Sequence, residues 1–233
     1  KVDLYTKRRP DELGIHTVCE GGEIISEDDA GIPDGTTFIV KELFYNVPAR
    51  LKFLKKDATE AGYISDIMTR FVLSHPEISF RFVNNGKQLI NSYGDGKLLN
   101  CIYSVYGKDY ASSMIPVSFE TENLKVEGMC GKGSTARPNR TYQSFFINGR
   151  YIKSPLIMRA VEEAYKNQVM VGKFPVAVLN LEINPAFVDI NVHPTKLEVK
   201  FSNESMIYQA VYHAVKEALY RIADIPKMKT FEQ

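Results

Sequence analysis

The stretch FVDINVHPTKLEVKF, residues 187–201, joins two segments in which apolar and polar residues alternate. Alternation with a period of two is typical of strands that bury one face. The apolar positions are Val188, Ile190 and Val192 before the break and Leu197, Val199 and Phe201 after it. The break, residues 193–196, contains neither Gly nor Asn, and Pro194 has no amide to donate to a sheet. The stretch therefore predicts two strands joined by a stiff loop that ends in Lys196.

Lys196 has two interpretations when the residues are considered alone. It is either a solvated side chain at an ordinary hairpin turn or a cation that the loop carries to a ligand. Lysine suits the second role because its ammonium group is a compact charge on a flexible stem, which binds a phosphate as a point contact. The local sequence leaves both interpretations open.

Outward from this stretch, the periodicity predicts a mixture of helices and strands. Helices are predicted at 58–75, 98–107, from Ser154 onward and at 204–223, and strands at 36–40, 115–121, 124–131, 142–149 and 176–183. The pair Asn85-Gly86 predicts a hairpin turn because both residues tolerate positive φ angles. Gly94-Asp95-Gly96 predicts a linker, and we place a domain boundary there. This order of elements predicts an α+β fold.

The helix predicted at 58–75 has an apolar stripe at three- and four-residue spacing, which predicts its buried face. The stripe consists of Ile64, Ile67, Met68, Phe71 and Val72.

The composition indicates a globular protein, since 44% of the residues are hydrophobic and 24% are charged. No apolar run reaches the roughly 18–20 residues that span a bilayer, so no membrane partner is expected. The three cysteines are odd in number and far apart, which favours a reducing compartment over a disulfide framework. The four histidines do not cluster, and no metal site is expected. The chain begins without Met and enters a strand pattern at once, which predicts a fragment of a longer protein.

The net charge of +1 conceals two segments of opposite sign. Residues 10–40 contain carboxylates but no Lys or Arg, whereas residues 131–161 contain no Asp or Glu. The cations of this basic segment are Lys132, Arg137, Arg140, Arg150, Lys153 and Arg159. A basic segment of this kind is expected either to bind a polyanion or to be an ordinary solvated surface.

The basic segment also contains the turn signal Asn148-Gly149, followed by Arg150 and then by the start of a helix. Helix N-termini favour anions because their amides are free and their dipole is positive. This arrangement predicts a surface that contacts phosphate backbones. The alternative is an ordinary hairpin in which Arg150 pairs with a carboxylate elsewhere.

Three segments together resemble the signatures of MutL-type DNA mismatch repair proteins. They are GTTFIVKELFYNVPARLKFLKK at 35–56, FFINGRYIKSPLIMRAVEEAY at 145–165 and VDINVHPTKLEVKF at 188–201. The three occur in the right order and at suitable spacing, and the resemblance covers essentially the whole chain.

The resemblance implies a fold and a division into domains. MutL-type proteins are GHKL ATPases, related to gyrase, in which an α/β nucleotide-binding domain precedes a ribosomal-protein-like βαβ domain. Residues 1–95 would be the latter part of the nucleotide-binding domain, 96–225 the βαβ (transducer) domain, and 226–233 a tail or linker. The family's catalytic Glu, magnesium-binding Asn and glycine-rich motifs have no counterpart in the chain. The resemblance therefore implies ATP and Mg as cofactors of the full-length protein only, with no catalytic residue, no metal ligand and no ATPase activity here.

The resemblance also assigns roles to particular residues. Lys196 would contact the γ-phosphate of ATP, and the segment Gly35-Thr36-Thr37 would lie near the nucleotide. Arg150 and Lys153 match basic positions of the family's DNA-binding surface, and Arg137 and Arg140 are added from the same basic segment. A further basic position of some members is occupied here by Pro155, which is a departure from the pattern.

The partners implied by the resemblance are DNA, bound through its backbone without sequence preference, and a MutS-like mismatch recognition protein. A homodimer through the N-terminal region is implied when ATP is bound, and the expected location is the bacterial cytoplasm, at the nucleoid. The function would be to couple ATP binding and hydrolysis to dimerisation, DNA binding and repair signalling.

Two other functions remain as alternatives. The chain could be a module that binds nucleic acid or a partner without nucleotide coupling. It could also be the ATPase region of a type II topoisomerase, but that family places its phosphate-binding lysine in a Gln-Thr-Lys setting rather than in His193-Pro194-Thr195-Lys196.

Overall fold

The computed structural model describes residues 1–189 and 197–223. These residues form two compact units, the first comprising Lys1–Glu60 and the second beginning at Ala61. The domain boundary predicted at Gly94-Asp95-Gly96 stays a prediction.

The first unit is built on a four-stranded antiparallel sheet with the strand order β3-β2-β1-β4. Its strands are β1 (Val2–Lys7), β2 (Gly14–Glu20), β3 (Glu23–Ala30) and β4 (Gly35–Val40). A single helical turn, α1 (Pro48–Leu51), follows the sheet and has Pro at its first position, where a missing amide costs no hydrogen bond.

The second unit contains most of the helices and strands of the described chain. In chain order they are α2 (Asp57–Ser74, whose first turn belongs to the first unit), β5 (Arg81–Asn84), β6 (Lys87–Asn91), α3 (Leu98–Tyr106), α4 (Lys108–Ala111), β7 (Met114–Glu120), β8 (Leu124–Gly131), β9 (Gln143–Ile147), β10 (Arg150–Ile152), α5 (Pro155–Ala164), β11 (Ala177–Ile183), β12 (Val188–Asp189), β13 (Lys200–Phe201) and α6 (Glu204–Ala223).

A five-stranded sheet with the order β10-β9-β11-β8-β7 forms the centre of the second unit. Strands β9 and β11 are parallel, and the other neighbours are antiparallel. The chain passes from β9 through α5 to β11, which makes a βαβ unit. The mixed sheet and its helices confirm the predicted α+β class.

Both faces of this sheet are covered, so the second unit has two cores. Alternate residues of β9 point to opposite faces: Phe145 and Ile147 pack with α5 and α6, whereas Phe146 packs with α2 and α3. The consecutive residues Phe145, Phe146 and Ile147 are therefore all apolar, as expected for a strand that is buried on both faces.

Helix α2 differs from its predicted packing. Val72 is fully buried and Met68 is half-buried, but Ile64, Ile67 and Phe71 remain about half exposed, at 51%, 54% and 48%. The buried residues of this helix include Arg70, which the apolar stripe does not predict. The buried face of α2 therefore consists of Arg70, Val72 and Leu73, and differs from the predicted apolar stripe.

The predicted α6 stripe is buried wherever the structure describes its side chains: Ile207, Val211, Ala214, Val215 and Ala218 are all nearly inaccessible. Within residues 1–189 and 197–223, no helix has the combination of length and apolar character that crossing a membrane requires.

Candidate nucleic-acid interface

The hairpin of β9 and β10 carries the first two candidate DNA-binding cations. Asn148 and Gly149 form its turn with φ angles of +49° and +79°, which explains why the sequence has Asn-Gly at this point. The side-chain amide of Asn148 donates to the carbonyl of Ile183 (3.0 Å) and accepts from the amide of Ile183 (2.9 Å). The turn is thereby fixed to the end of β11, and Arg150 follows it directly.

A groove of about 750 Å³ lies between helix α2 and this hairpin. Its lining residues are Asp66, Ile67, Arg70, Phe71, Ser74 and His75 from α2 and its end, Asn148, Gly149, Arg150, Tyr151 and Lys153 from the hairpin and its exit, and Leu197. The amide of Lys153 donates to the carbonyl of Leu197 at 2.7 Å, which holds the exit of the hairpin in place.

Arg150 and Lys153 are exposed cations on this groove. Within the part of the chain that the structure describes, neither side chain forms a hydrogen bond or an ion pair with protein. Asp66 is the one carboxylate that lines the groove among the described residues, and it is paired with Arg70. The two free cations therefore give the groove a net positive charge, which suits an anionic ligand.

Arg137 lies away from this groove and is engaged with aromatic rings. Its Nε donates to the hydroxyl of Tyr110, and its guanidinium carbon lies 4.7 Å from the centre of the Tyr110 ring. Its backbone forms two hydrogen bonds with Phe174, at 2.8 and 2.7 Å. A half-buried guanidinium with these contacts helps to fix the 132–142 loop.

Arg140 is exposed but its charge is paired. Its Nε and Nη2 atoms donate to the two carboxylate oxygens of Glu162 at 2.6 and 3.1 Å, and its guanidinium carbon lies 3.9 Å from the centre of the Phe174 ring. The hydrogen bonds to Glu162 raise the pKa of Arg140 above its ordinary value. The structure therefore brings together Arg150 and Lys153, whereas Arg137 and Arg140 have other contacts.

The predicted nucleotide-proximal residues lie on β4 in the first unit. Gly35, Thr36 and Thr37 are exposed and pair with β1, and the hydroxyl of Thr36 lies 2.9 Å from that of Thr6. Among the residues that the structure describes, β4 pairs with β1 alone and so lies at an edge of the four-stranded sheet. Lys196, the predicted γ-phosphate contact, lies outside the described residues.

The described residues do not fit a magnesium ion. Across residues 1–189 and 197–223, there is no cluster of three or more His, Cys, Asp or Glu side chains that could hold a metal. Exposed strand amides at Gly35–Thr37 do not make a nucleotide site by themselves, so no chemical step through ATP is assigned to the described residues.

Arg70 is a residue that the sequence does not single out. It is 9% exposed, and Nη1 donates to the hydroxyl of Ser144, while Nη2 donates to Asp66 (3.0 Å) and to the carbonyl of Thr141 (3.3 Å). Its guanidinium carbon lies 4.8 Å from the centre of the Tyr151 ring, and burial raises the pKa of Tyr151. The one available signal in the sequence is its place next to Phe71 and Val72, inside an apolar part of the helix.

Comparisons with known proteins identify the family of the chain. A family described as "DNA mismatch repair protein, C-terminal domain" matches residues 102–220, just over half of the chain. A MutL protein of Agathobacter rectalis is 44% identical over 228 residues. The chain belongs to the MutL family of DNA mismatch repair proteins.

A second MutL relative, from Thermoanaerobacter pseudethanolicus, is 40% identical over 232 residues. These matches cover 98% and 100% of the chain but only 35% and 38% of the relatives' length, so the chain spans somewhat more than a third of the MutL proteins that it matches.

Solved structures share the fold. The N-terminal domain of a DNA repair protein superposes with a TM-score of 0.79 at 20% identity, covering 97% of this chain and 74% of that one. The ATPase domain of Aquifex aeolicus MutL gives a TM-score of 0.69 at 21% identity and covers 92% and 75% of the two chains. The B subunit of Myxococcus xanthus gyrase gives 0.53 at 12% identity and covers 96% and 67%. The chain therefore shares its α+β fold with MutL ATPase-domain structures and, at a lower TM-score, with a gyrase B subunit.

Proposed function

We propose that this chain is part of the ATPase region of a MutL protein and binds the backbone of DNA through the groove between α2 and the β9–β10 hairpin. In the whole protein, ATP binding and hydrolysis would be coupled to dimerisation, to DNA binding and to signalling with a MutS-like mismatch recognition protein, in the bacterial cytoplasm. The chain alone would not hydrolyse ATP. Its membership of the family and the fold that it shares with ATPase domains support this proposal.

The DNA-binding part rests on one observation: Arg150 and Lys153 lie on a single groove, and neither is paired with a carboxylate among the described residues. Exposed cations of this kind contact phosphates, which are the same in every sequence. Binding through a few such contacts is weak and falls steeply as salt is added, because counterions are released from the DNA. We therefore expect sequence-independent binding that is strongest at low salt.

Neutralising the two cations tests this part. Arg150→Gln with Lys153→Gln should weaken binding to random duplex DNA at least tenfold at low salt, and it should reduce the slope of log K against log salt by about 2. Arg140→Gln is the matched control, because its charge is already paired with Glu162. Equal effects of the double variant and the control, or no effect of the double variant, would count against the groove as the DNA surface. Fluorescence anisotropy over a salt series provides the measurement.

The nucleotide-coupling part rests on the resemblance of residues 188–201 to the family signature, in which Lys196 contacts the γ-phosphate. A lysine that contacts the terminal phosphate favours ATP over ADP, so its loop would respond to hydrolysis. Lys196→Ala in the whole protein should slow ATP turnover strongly. Lys200→Ala is the matched control, since Lys200 is an exposed lysine of β13 four residues away. Unchanged turnover in Lys196→Ala would remove the proposed role.

A further inference from the structure

Arg70 combines a charge with deep burial. Among the residues that the structure describes, it is the one charged side chain that is buried. Its Nε is inaccessible and has no hydrogen-bond partner in the described part of the chain, and its acidic partner Asp66 is about half exposed. Burying a guanidinium and leaving one of its donors unpaired both oppose folding. A contribution to stability therefore does not by itself explain why Arg70 is buried here.

The contacts of Arg70 join helix α2 to the stem of the hairpin that carries the groove cations. Ser144, which accepts from Nη1, belongs to β9 and is fully buried. Thr141, whose carbonyl accepts from Nη2, immediately precedes that strand, and Tyr151, whose ring lies over the guanidinium, belongs to β10. One planar group therefore contacts both strands of the hairpin from the helix that forms the opposite wall of the groove.

The geometry of these contacts requires a guanidinium. Arginine presents several donors in a fixed plane, so it can donate to Ser144 and Thr141 while stacking on Tyr151. A lysine ammonium has the same charge but cannot reproduce this fork. The guanidinium thus contacts β10 at Tyr151, the residue next to Arg150 and two before Lys153.

We propose that Arg70 is a positioning residue for DNA binding: it fixes the hairpin against α2, so that Arg150 and Lys153 are held on one groove, and it does not itself contact DNA. This inference rests on the proposed DNA-binding function of the groove. It predicts that a change at Arg70 lowers DNA affinity only when Arg150 and Lys153 are present.

A double-mutant cycle on the purified protein tests this inference. Arg70→Lys is made in the natural background and in the background of Arg150→Gln with Lys153→Gln, and DNA affinity is measured by anisotropy at a salt concentration where the double variant still binds. We expect Arg70→Lys to weaken binding about fivefold in the natural background and less than twofold in the other. Equal losses in both backgrounds would mean that Arg70 contacts DNA independently, and no loss in the natural background would also overturn the proposal.

Hydrogen exchange provides a second readout that does not depend on DNA. Arg70→Lys should increase amide exchange in the peptide that covers residues 150–153 while leaving α6 unchanged. Unchanged exchange at 150–153 would overturn the positioning role. If Arg150→Gln with Lys153→Gln binds DNA normally, the proposed DNA-binding function of the groove is wrong. The exchange experiment still decides, independently, whether Arg70 holds the hairpin. Should Arg70→Lys not fold, Ser144→Ala removes a single acceptor and is expected to give the same two effects at smaller size.

Discussion

Glu162 neutralises Arg140 through a two-point ion pair, with Oε1–Nε and Oε2–Nη2 distances of 2.6 and 3.1 Å. The acid-free segment that suggested a polyanion surface ends at Val161, and the very next residue is this carboxylate. Arg140 is therefore bound to a carboxylate on the surface of α5 and, unlike Arg150, is not free to contact a phosphate.

Releasing Arg140 from its partner should strengthen DNA binding. Glu162→Gln is expected to raise the affinity for duplex DNA two- to threefold at low salt, and to steepen the slope of log K against log salt by up to about 0.9, because one more cation becomes available to a phosphate. Glu163→Gln is the matched control, since it removes the same charge from the pair with Lys166. Similar gains in both variants would show that total charge, and not the release of Arg140, is responsible.

The buried cysteines should resist alkylation. Burial raises the pKa of the Cys101 and Cys130 thiols to about 11, and the thiolate is the reactive form. At pH 8, iodoacetamide should therefore modify each of them roughly 200-fold more slowly than an ordinary thiol of pKa about 8.5. Mass spectrometry should show rapid modification at Cys19 alone in the native protein and at all three cysteines after unfolding. Equal rates at the three sites in native protein would contradict this expectation.

Gly128 should not tolerate a side chain. Its φ is +149°, and an added Cβ would lie 2.1 Å from the carbonyl oxygen of Val178 on the neighbouring strand β11. Gly128→Ala should therefore lower the free energy of unfolding by about 2–4 kcal/mol, because both the backbone and the strand spacing must change. Gly86→Ala is the control, because Gly86 has a positive φ (+76°) but open space around it. Its cost should be about 1 kcal/mol. Urea unfolding of the two variants gives the comparison.

Asp95 should contribute to stability in a pH-dependent way. Its carboxylate accepts hydrogen bonds from the amide of Lys97 (3.1 Å) and the side chain of Asn100 (2.6 Å), which hold its pKa below the ordinary 3.8. A lowered carboxyl pKa stabilises the folded state above the unfolded pKa, and this contribution is lost as the pH falls through the folded pKa. The difference in unfolding free energy between the natural protein and Asp95→Asn should therefore be constant above about pH 5 and shrink below pH 3.8. A difference that grows on acidification would contradict the sign.

Regular elements could be predicted from the sequence where one pattern dominates. Helix α6 begins at the predicted Glu204 and continues to Ala223, the last residue that the structure describes, because its apolar stripe repeats every three to four positions. The turn at Asn148-Gly149 was also predictable, since few residues adopt two consecutive positive φ angles. Membership of the MutL family, inferred from three segments, is confirmed.

The contacts of individual cations could not be predicted in the same way. Arg140 and Glu162 are 22 residues apart, and their pairing depends on how a loop without regular structure folds onto α5. Arg70 donates to Ser144 across 74 residues of sequence, and nothing local to Arg70 distinguishes it from a solvated helix cation. Charge patterns identify a basic segment, but tertiary packing decides which of its cations remain free.

The side-chain amide of Asn148 has a consequence for the accuracy of folding. A slip of β9 by one residue would exchange Phe145 for Phe146, but it would also turn Ser144 and Ile147 to the opposite faces of the sheet. The two hydrogen bonds between Asn148 and Ile183, one donated by each residue, exist in one alignment only. The amide of Asn148 therefore adds to the contact of Ser144 with Arg70 in holding β9 in one register beside β11.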